Sequence, residues 1–261
     1  MINRPIGGFP AGVRLRGLCL GLGAAAALAL PPAAQAIDWG YADWGSSSVD
    51  SLSYWSYSDM SRRSAQRQRA LASGQSKSTR SAPKTQSSAL STASNVSASG
   101  QFRDERGLDG LAAMYPRDQF FERKTQFRQI VQGFNQNVQK LYGLPANNLA
   151  TGMTVVMAGA YSAYQNRPFP DAWVKPLYQQ MEGMLLQDPR LPKRSAAQKA
   201  ADYQIMVGAG MAMMLTQAEL EKAPNPAALK QLRDTGRDAL RTLFNADPQS
   251  VEFSSAGLRV R

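Results

Sequence analysis

Glu182, in the run QQMEGMLL, is the residue best placed in this sequence for acid–base chemistry. It sits beside Met181 and Met184, and apolar neighbours raise a carboxyl pKa towards the range a general acid needs for glycan cleavage. The competing reading puts it one position off the apolar stripe of its helix, facing water. Other routes to catalysis are closed by composition. The chain of 261 residues has no histidine and one cysteine, Cys19. Ser-His-Asp triads, Cys-His pairs and His/Cys zinc sites therefore cannot be assembled. Glu219, Glu221, Asp234 and Asp238 are spaced as surface charges near cationic partners. No D-x-D-x-D-G calcium loop occurs, and neither a metal nor a cofactor is expected. VGAGMAMM (Val207 to Met214) has two of the three glycines of a dinucleotide fingerprint and lies within a helical pattern. It reads as close helix packing, with a methionine-lined ligand groove as the lesser alternative.

The aromatic residues offer binding rather than catalysis. Trp39, Tyr41, Trp44, Trp55 and Tyr57 crowd into IDWGYADWGSSSVDSLSYWSYSDM, residues 37–60, which holds three of the four tryptophans. Burying three tryptophans does not offset the ordering of the whole segment, so it must dock on something already built. Trp39/Tyr41 and Trp55/Tyr57 are two apart and would share one face of an extended strand. The dock is the chain's own domain, with the C-terminal VEF as a strand partner, or another protein, or a membrane surface, where Trp and Tyr are favoured. Tyr161, Tyr164, Trp173 and Tyr178 form a second group, read as core packing or as the lining of a small-ligand pocket.

These residues must be held by elements that the pattern also predicts. Residues 1–36 read as a secretory signal: Arg4, Arg14 and Arg16, then the apolar run GLCLGLGAAAALAL, then Ala34-Gln35-Ala36 as an A-x-A cleavage site. The run is shorter than the ~20 residues a membrane helix needs. Its removal would leave no cysteine and lower the net charge from +11 to +8 by losing three arginines. Residues 61–107 are rich in Ser and Arg, with few large apolar groups, and read as a disordered linker. SRRSAQRQRALAS within it reads as a transient helix, especially against an anionic surface. Residues 108–261 show helical periodicity up to an extended ending.

About five helices are expected in that domain. Phe120, Phe127, Ile130, Val131, Phe134, Val138 and Leu141 make one stripe, ended by Gly143 and Pro145. NNLATGMTVVMAGAYSAY is apolar nearly all round and predicts a central helix capped by Asn147 or Asn148. A helix bearing Trp173 follows, then an Ala/Met-rich one capped by Ser195. The last opens on Asn225 and Pro226. The ending reads as a short extended tail, or a strand pair. The fold class is thus all-α: a compact bundle behind a disordered N-terminal region.

LYGLPANNLATGMTVVMAGAYSAY, the Trp-bearing and Ala/Met-rich helices after it, and VEFSSAGLRV together resemble an exported bacterial family catalogued as domain of unknown function 6683. The resemblance covers Phe120 to Val260. Where similar chains tend to carry an acidic residue after Asn-Leu-Ala, this one has Thr151-Gly152. The resemblance implies a compact helical domain behind a signal peptide and implies no activity.

The functional expectation is an exported, non-enzymatic interaction protein of the envelope, periplasmic or extracellular. In it a helical domain carries an aromatic and basic arm that meets an envelope protein or an anionic envelope surface rather than nucleic acid. The alternatives are a carboxylate-dependent, glycan-acting enzyme using Glu182 and a periplasmic small-ligand binder.

Overall fold

The computed structural model describes residues 54–72, 89–92 and 102–261. The secretory signal, Trp39, Tyr41 and Trp44 lie outside the described residues. Seven α-helices follow in order: α1 Tyr57–Ala72, α2 Arg106–Ala112, α3 Phe120–Tyr142, α4 Leu149–Gln165, α5 Asp171–Gln187, α6 Ala196–Lys222 and α7 Pro226–Phe244. Strands β1 (Val251–Ser254) and β2 (Gly257–Val260) pair antiparallel as a hairpin, with Gly257 at a positive φ of 99° in the turn.

The count of about five helices is therefore corrected to seven among the described residues, and the extended tail to a hairpin. Both missed helices hide for physical reasons. α2, RGLDGLA, spans seven residues, too short for a 3.6-residue period to repeat. α1 buries Tyr57 and Met60 in its first turn, while its later residues, from Arg62 to Arg69, are almost all polar and exposed. Ser61 to Ala72 thus belong to a helix rather than to a coil.

The other boundaries follow from local chemistry. Asn148 caps α4 by accepting from the amides of Ala150 at 2.8 Å and Thr151 at 3.3 Å. Ser195 and Gln198 form a reciprocal capping box at the start of α6. Asn225 caps α7, with Pro226 at its first position. Left-handed residues close three helices: Gly143 (φ 68°), Asn166 (φ 50°) and Asn245 (φ 47°).

α4 is the axis of the bundle, and every residue from Leu149 to Ala163 is buried. It packs most extensively on α6 and α7, with α5 on a further side. α2 and α3 cover α6, and α1 lies outermost against α5 and α7. The α4–α6 crossing is set by Gly159 and Gly210. A Cβ on Gly159 would stand 2.2 Å from the Gly210 carbonyl oxygen, so neither position has room for a side chain. The small residues of VGAGMAMM thus serve helix packing. On α3 the expected stripe is buried at Phe127, Ile130, Val131, Phe134 and Val138, each worth about 1.5–3 kcal/mol. Residues 89–92 strap the N-terminal ends of α4 and α6. Leu90 is fully buried, its carbonyl accepts from Leu149 N at 3.1 Å, and Lys199 Nζ donates to Ala89 O at 2.7 Å.

Candidate functional site

The structure carries the aromatic arm into the domain at Trp55, which is fully buried. Its Nε1 donates to Asp202 Oδ2 at 2.9 Å. Asp202 lies on α6 and is 1 % exposed, a position where a carboxylate persists only with strong partners. Arg194, just before α6, supplies them: Nη2 reaches Oδ1 at 2.7 Å and Oδ2 at 2.6 Å, and Nε reaches Oδ2 at 3.1 Å. The planar fork matches the carboxylate, a geometry Lys could not provide.

A second Arg–Asp pair closes the other side. Asp188, at the end of α5, accepts from Arg190 Nη2 at 2.6 Å and from the Arg190 amide at 2.8 Å. Arg190 Nη1 also donates to the Tyr54 carbonyl. The Tyr54 ring is held between the two guanidiniums, 4.1 Å from Arg194 and 4.7 Å from Arg190, and meets Trp55 edge-on at 5.0 Å. Two arginines and two aspartates form an electrically neutral clasp around two aromatic side chains.

Beyond the clasp the chain turns into α1, which is pinned along its length. Tyr57 packs its ring on Phe244 at 5.3 Å and accepts from Gln180 Nε2 at 3.1 Å. Burial pushes its hydroxyl pKa up, and the Gln180 bond acts against this. Ser58 donates to the Phe244 carbonyl, Ser64 to Gln187 Oε1 at 2.7 Å and Arg67 to the Gln187 carbonyl at 3.0 Å. Trp55 and Tyr57 are both buried, yet not as alternate residues of a strand. Ser56 between them is buried too, and Tyr57 already begins a helix. VEF pairs with β2 instead, and Gln180 links Tyr57 to that hairpin by bonding Leu258 N at 2.7 Å and Leu258 O at 2.9 Å.

The chain matches the model of a family of unknown function, DUF6683, over residues 17–261. The chain belongs to this family. The span reaches well upstream of Phe120 and includes Trp55 as well as Asp202, so both halves of the clasp lie within the family match. No curated protein and no solved structure is matched.

The remaining candidates separate. Tyr161, Phe169, Trp173 and Phe253 stack edge-to-face, with centroid distances from 5.2 to 6.0 Å, and join α4, α5 and β1 as core. Tyr164 is half-buried on a shallow surface cleft with Arg233 and Arg237. Tyr178 donates to Glu182 Oε1 at 2.7 Å. Burial first, and then the Glu182 carboxylate that accepts its hydrogen bond, hold the Tyr178 hydroxyl far above its usual pKa. Glu182 is thus half-buried and hydrogen-bonded rather than facing water. It lines neither that cleft nor the apolar cavity among α3, α4, α5 and α6. Among the described residues no group of three His, Cys, Asp or Glu side chains could hold a metal. No helix there is long and apolar enough to cross a membrane.

Sequence reasoning missed Asp188, Arg190, Arg194 and Asp202. One signal was present: Asp202 falls where α6 turns apolar, just before IMVGAG, and a carboxylate carried into a core implies a partner.

Proposed function

We propose that the chain is an exported, non-enzymatic interaction protein of the bacterial envelope, whose docked arm presents a basic helix to an anionic surface. The observation that carries this reading is the placement of α1. The clasp and the Tyr57, Ser58 and Ser64 bonds hold it against α5 and α7, while Arg62, Arg63, Arg67 and Arg69 remain exposed. A rigid helix pays little ordering entropy on contact, and each arginine near an anionic leaflet contributes roughly 1 kcal/mol. The N-terminal signal pattern and the absence of histidine support export and a non-catalytic role. The Tyr178–Glu182 bond gives Glu182 a structural partner.

Co-sedimentation with vesicles tests it. The chain should bind phosphatidylglycerol vesicles, bind phosphatidylcholine vesicles weakly, and dissociate as salt rises. Replacing Arg62, Arg63, Arg67 and Arg69 by Ala should abolish anionic binding. Equal binding to both vesicles, or full binding by the four-fold variant, overturns the proposal.

A further inference from the structure

A cavity of about 120 Å³ lies between α3, α4, α6 and the start of α5. Its wall is mainly apolar, with Phe134 and Val138 from α3, Val155 and Ala158 from α4, and Met211 and Met214 from α6. A cavity of about 150 Å³ is large enough to take up benzene; this one is somewhat smaller and opens towards the exposed Glu221. The methionines add a wall that can adjust to its contents.

One polar side chain interrupts this wall without a partner. Ser162 is 1 % exposed, lines the cavity, and its hydroxyl makes no hydrogen bond. Thr154 on the same helix face shows the usual solution, donating back to Ala150 O at 2.8 Å. Gln217 lines the cavity as well, but its amide atoms are not cut off from solvent. Buried polar groups are nearly always paired, so an unpaired hydroxyl facing this space marks a place where a partner belongs. The charged residues of the wall, Asp171 and Glu221, are both acids, in a chain whose net charge is +11.

We propose that this cavity binds a small uncharged molecule of about benzene size carrying one hydrogen-bonding group. The Ser162 hydroxyl anchors the polar group. Asp171 and Glu221 turn carboxylates away. This site is separate from the clasp and from α1, and it stands or falls independently of surface binding.

Methyl-labelled methionine in the intact chain reports on it, with benzyl alcohol, toluene and benzoate as probes. Benzyl alcohol should shift the Met211 and Met214 methyl signals, toluene should bind about fivefold more weakly, and benzoate at least tenfold more weakly. Ser162→Ala, which preserves packing, should cost benzyl alcohol about fivefold in affinity and leave toluene unchanged. Ala218→Leu, which projects a larger side chain from the half-buried rim, should abolish both. The proposal is overturned if no probe shifts these methyls, if the shifts survive Ala218→Leu, or if benzoate binds as tightly as benzyl alcohol. Equal affinity of Ser162→Ala for the alcohol overturns it as well, since Ser162 is the anchor.

Discussion

Trp55 Nε1 bonds Asp202 Oδ2 across 147 residues of chain, the tie between the N-terminal arm and the bundle. The carboxylate serves two masters, since Arg194 holds it from the other side through both oxygens. Neither the indole N–H nor the guanidinium could be buried there alone. The arm therefore completes the domain's polar bookkeeping as well as its packing.

Removing the ring and removing only its polar edge should differ. Trp55→Ala empties a fully buried site and should cost about 3–5 kcal/mol, while Trp55→Phe should cost about 1–3 kcal/mol for the lost charge-assisted bond and its shape. Hydrogen exchange of the α1 amides measures this. Both variants should exchange faster in α1, Trp55→Ala more so, with α4 amides nearly unchanged. Uniform acceleration across α1 and α4 would mean that the arm does not open separately.

Asp202→Ala leaves the half-buried Arg194 without its counterion, its side chain only 16 % exposed. The expected loss in urea unfolding is about 3 kcal/mol, at the low end for breaking a buried pair because some water can reach the guanidinium. Asp202→Asn retains an acceptor for Trp55 and should lose less. A Trp55→Phe/Asp202→Ala cycle should show coupling above about 0.5 kcal/mol.

The glycines divide into two kinds. Gly159→Ala forces a Cβ to within 2.2 Å of the Gly210 carbonyl and should destabilise by more than about 2 kcal/mol, or prevent folding. Gly133, within α3, has nothing within 4 Å of an added Cβ, so Gly133→Ala should stabilise by about 0.5–1 kcal/mol. Thermal melts of both variants give the answer, and a matching sign for the two would refute the argument.

Glu105 receives bonds from Arg128 at 2.6 and 2.9 Å and an ion pair from Lys124 at 3.1 Å. The Arg128 bond foremost, with Lys124 assisting, lowers its pKa from 4.5 to about 2. A depressed carboxyl pKa stabilises the fold above its unfolded value, and that contribution disappears as pH falls through the folded one. The stability gap between wild type and Glu105→Gln should be full at pH 5, shrink below about 4.5 and vanish near pH 2. A gap that is independent of pH would show that the pair is unimportant to the fold.

The sequence reading succeeded where information is local. The α3 stripe, the all-round burial of α4 and the caps at Asn148, Ser195 and Asn225 each lie within a few residues of what they determine. It failed where a partner is remote. Arg194 is close to Asp202 in sequence, but nothing in the string brings Tyr54 and Trp55 to them. α1 owes its helix to packing at one end and side-chain bonds to α5, so its own composition resembles coil. The cavity beside Ser162 is harder still to foresee, because it records where side chains fail to meet. The methionine-rich run on α6 gave the one hint, since Met211 and Met214 line it.

Gln180 has a consequence for how these molecules behave in one another's company. Its amide engages both Leu258 N and Leu258 O, the two backbone polar groups of one β2 residue. A two-stranded sheet otherwise offers a row of unpaired donors and acceptors along which a neighbouring chain can stack. Here a side chain from α5 occupies that rim at Leu258. Gln180→Ala should therefore show itself first in concentrated solution, as a protein still folded but newly inclined to self-associate through its C-terminal hairpin.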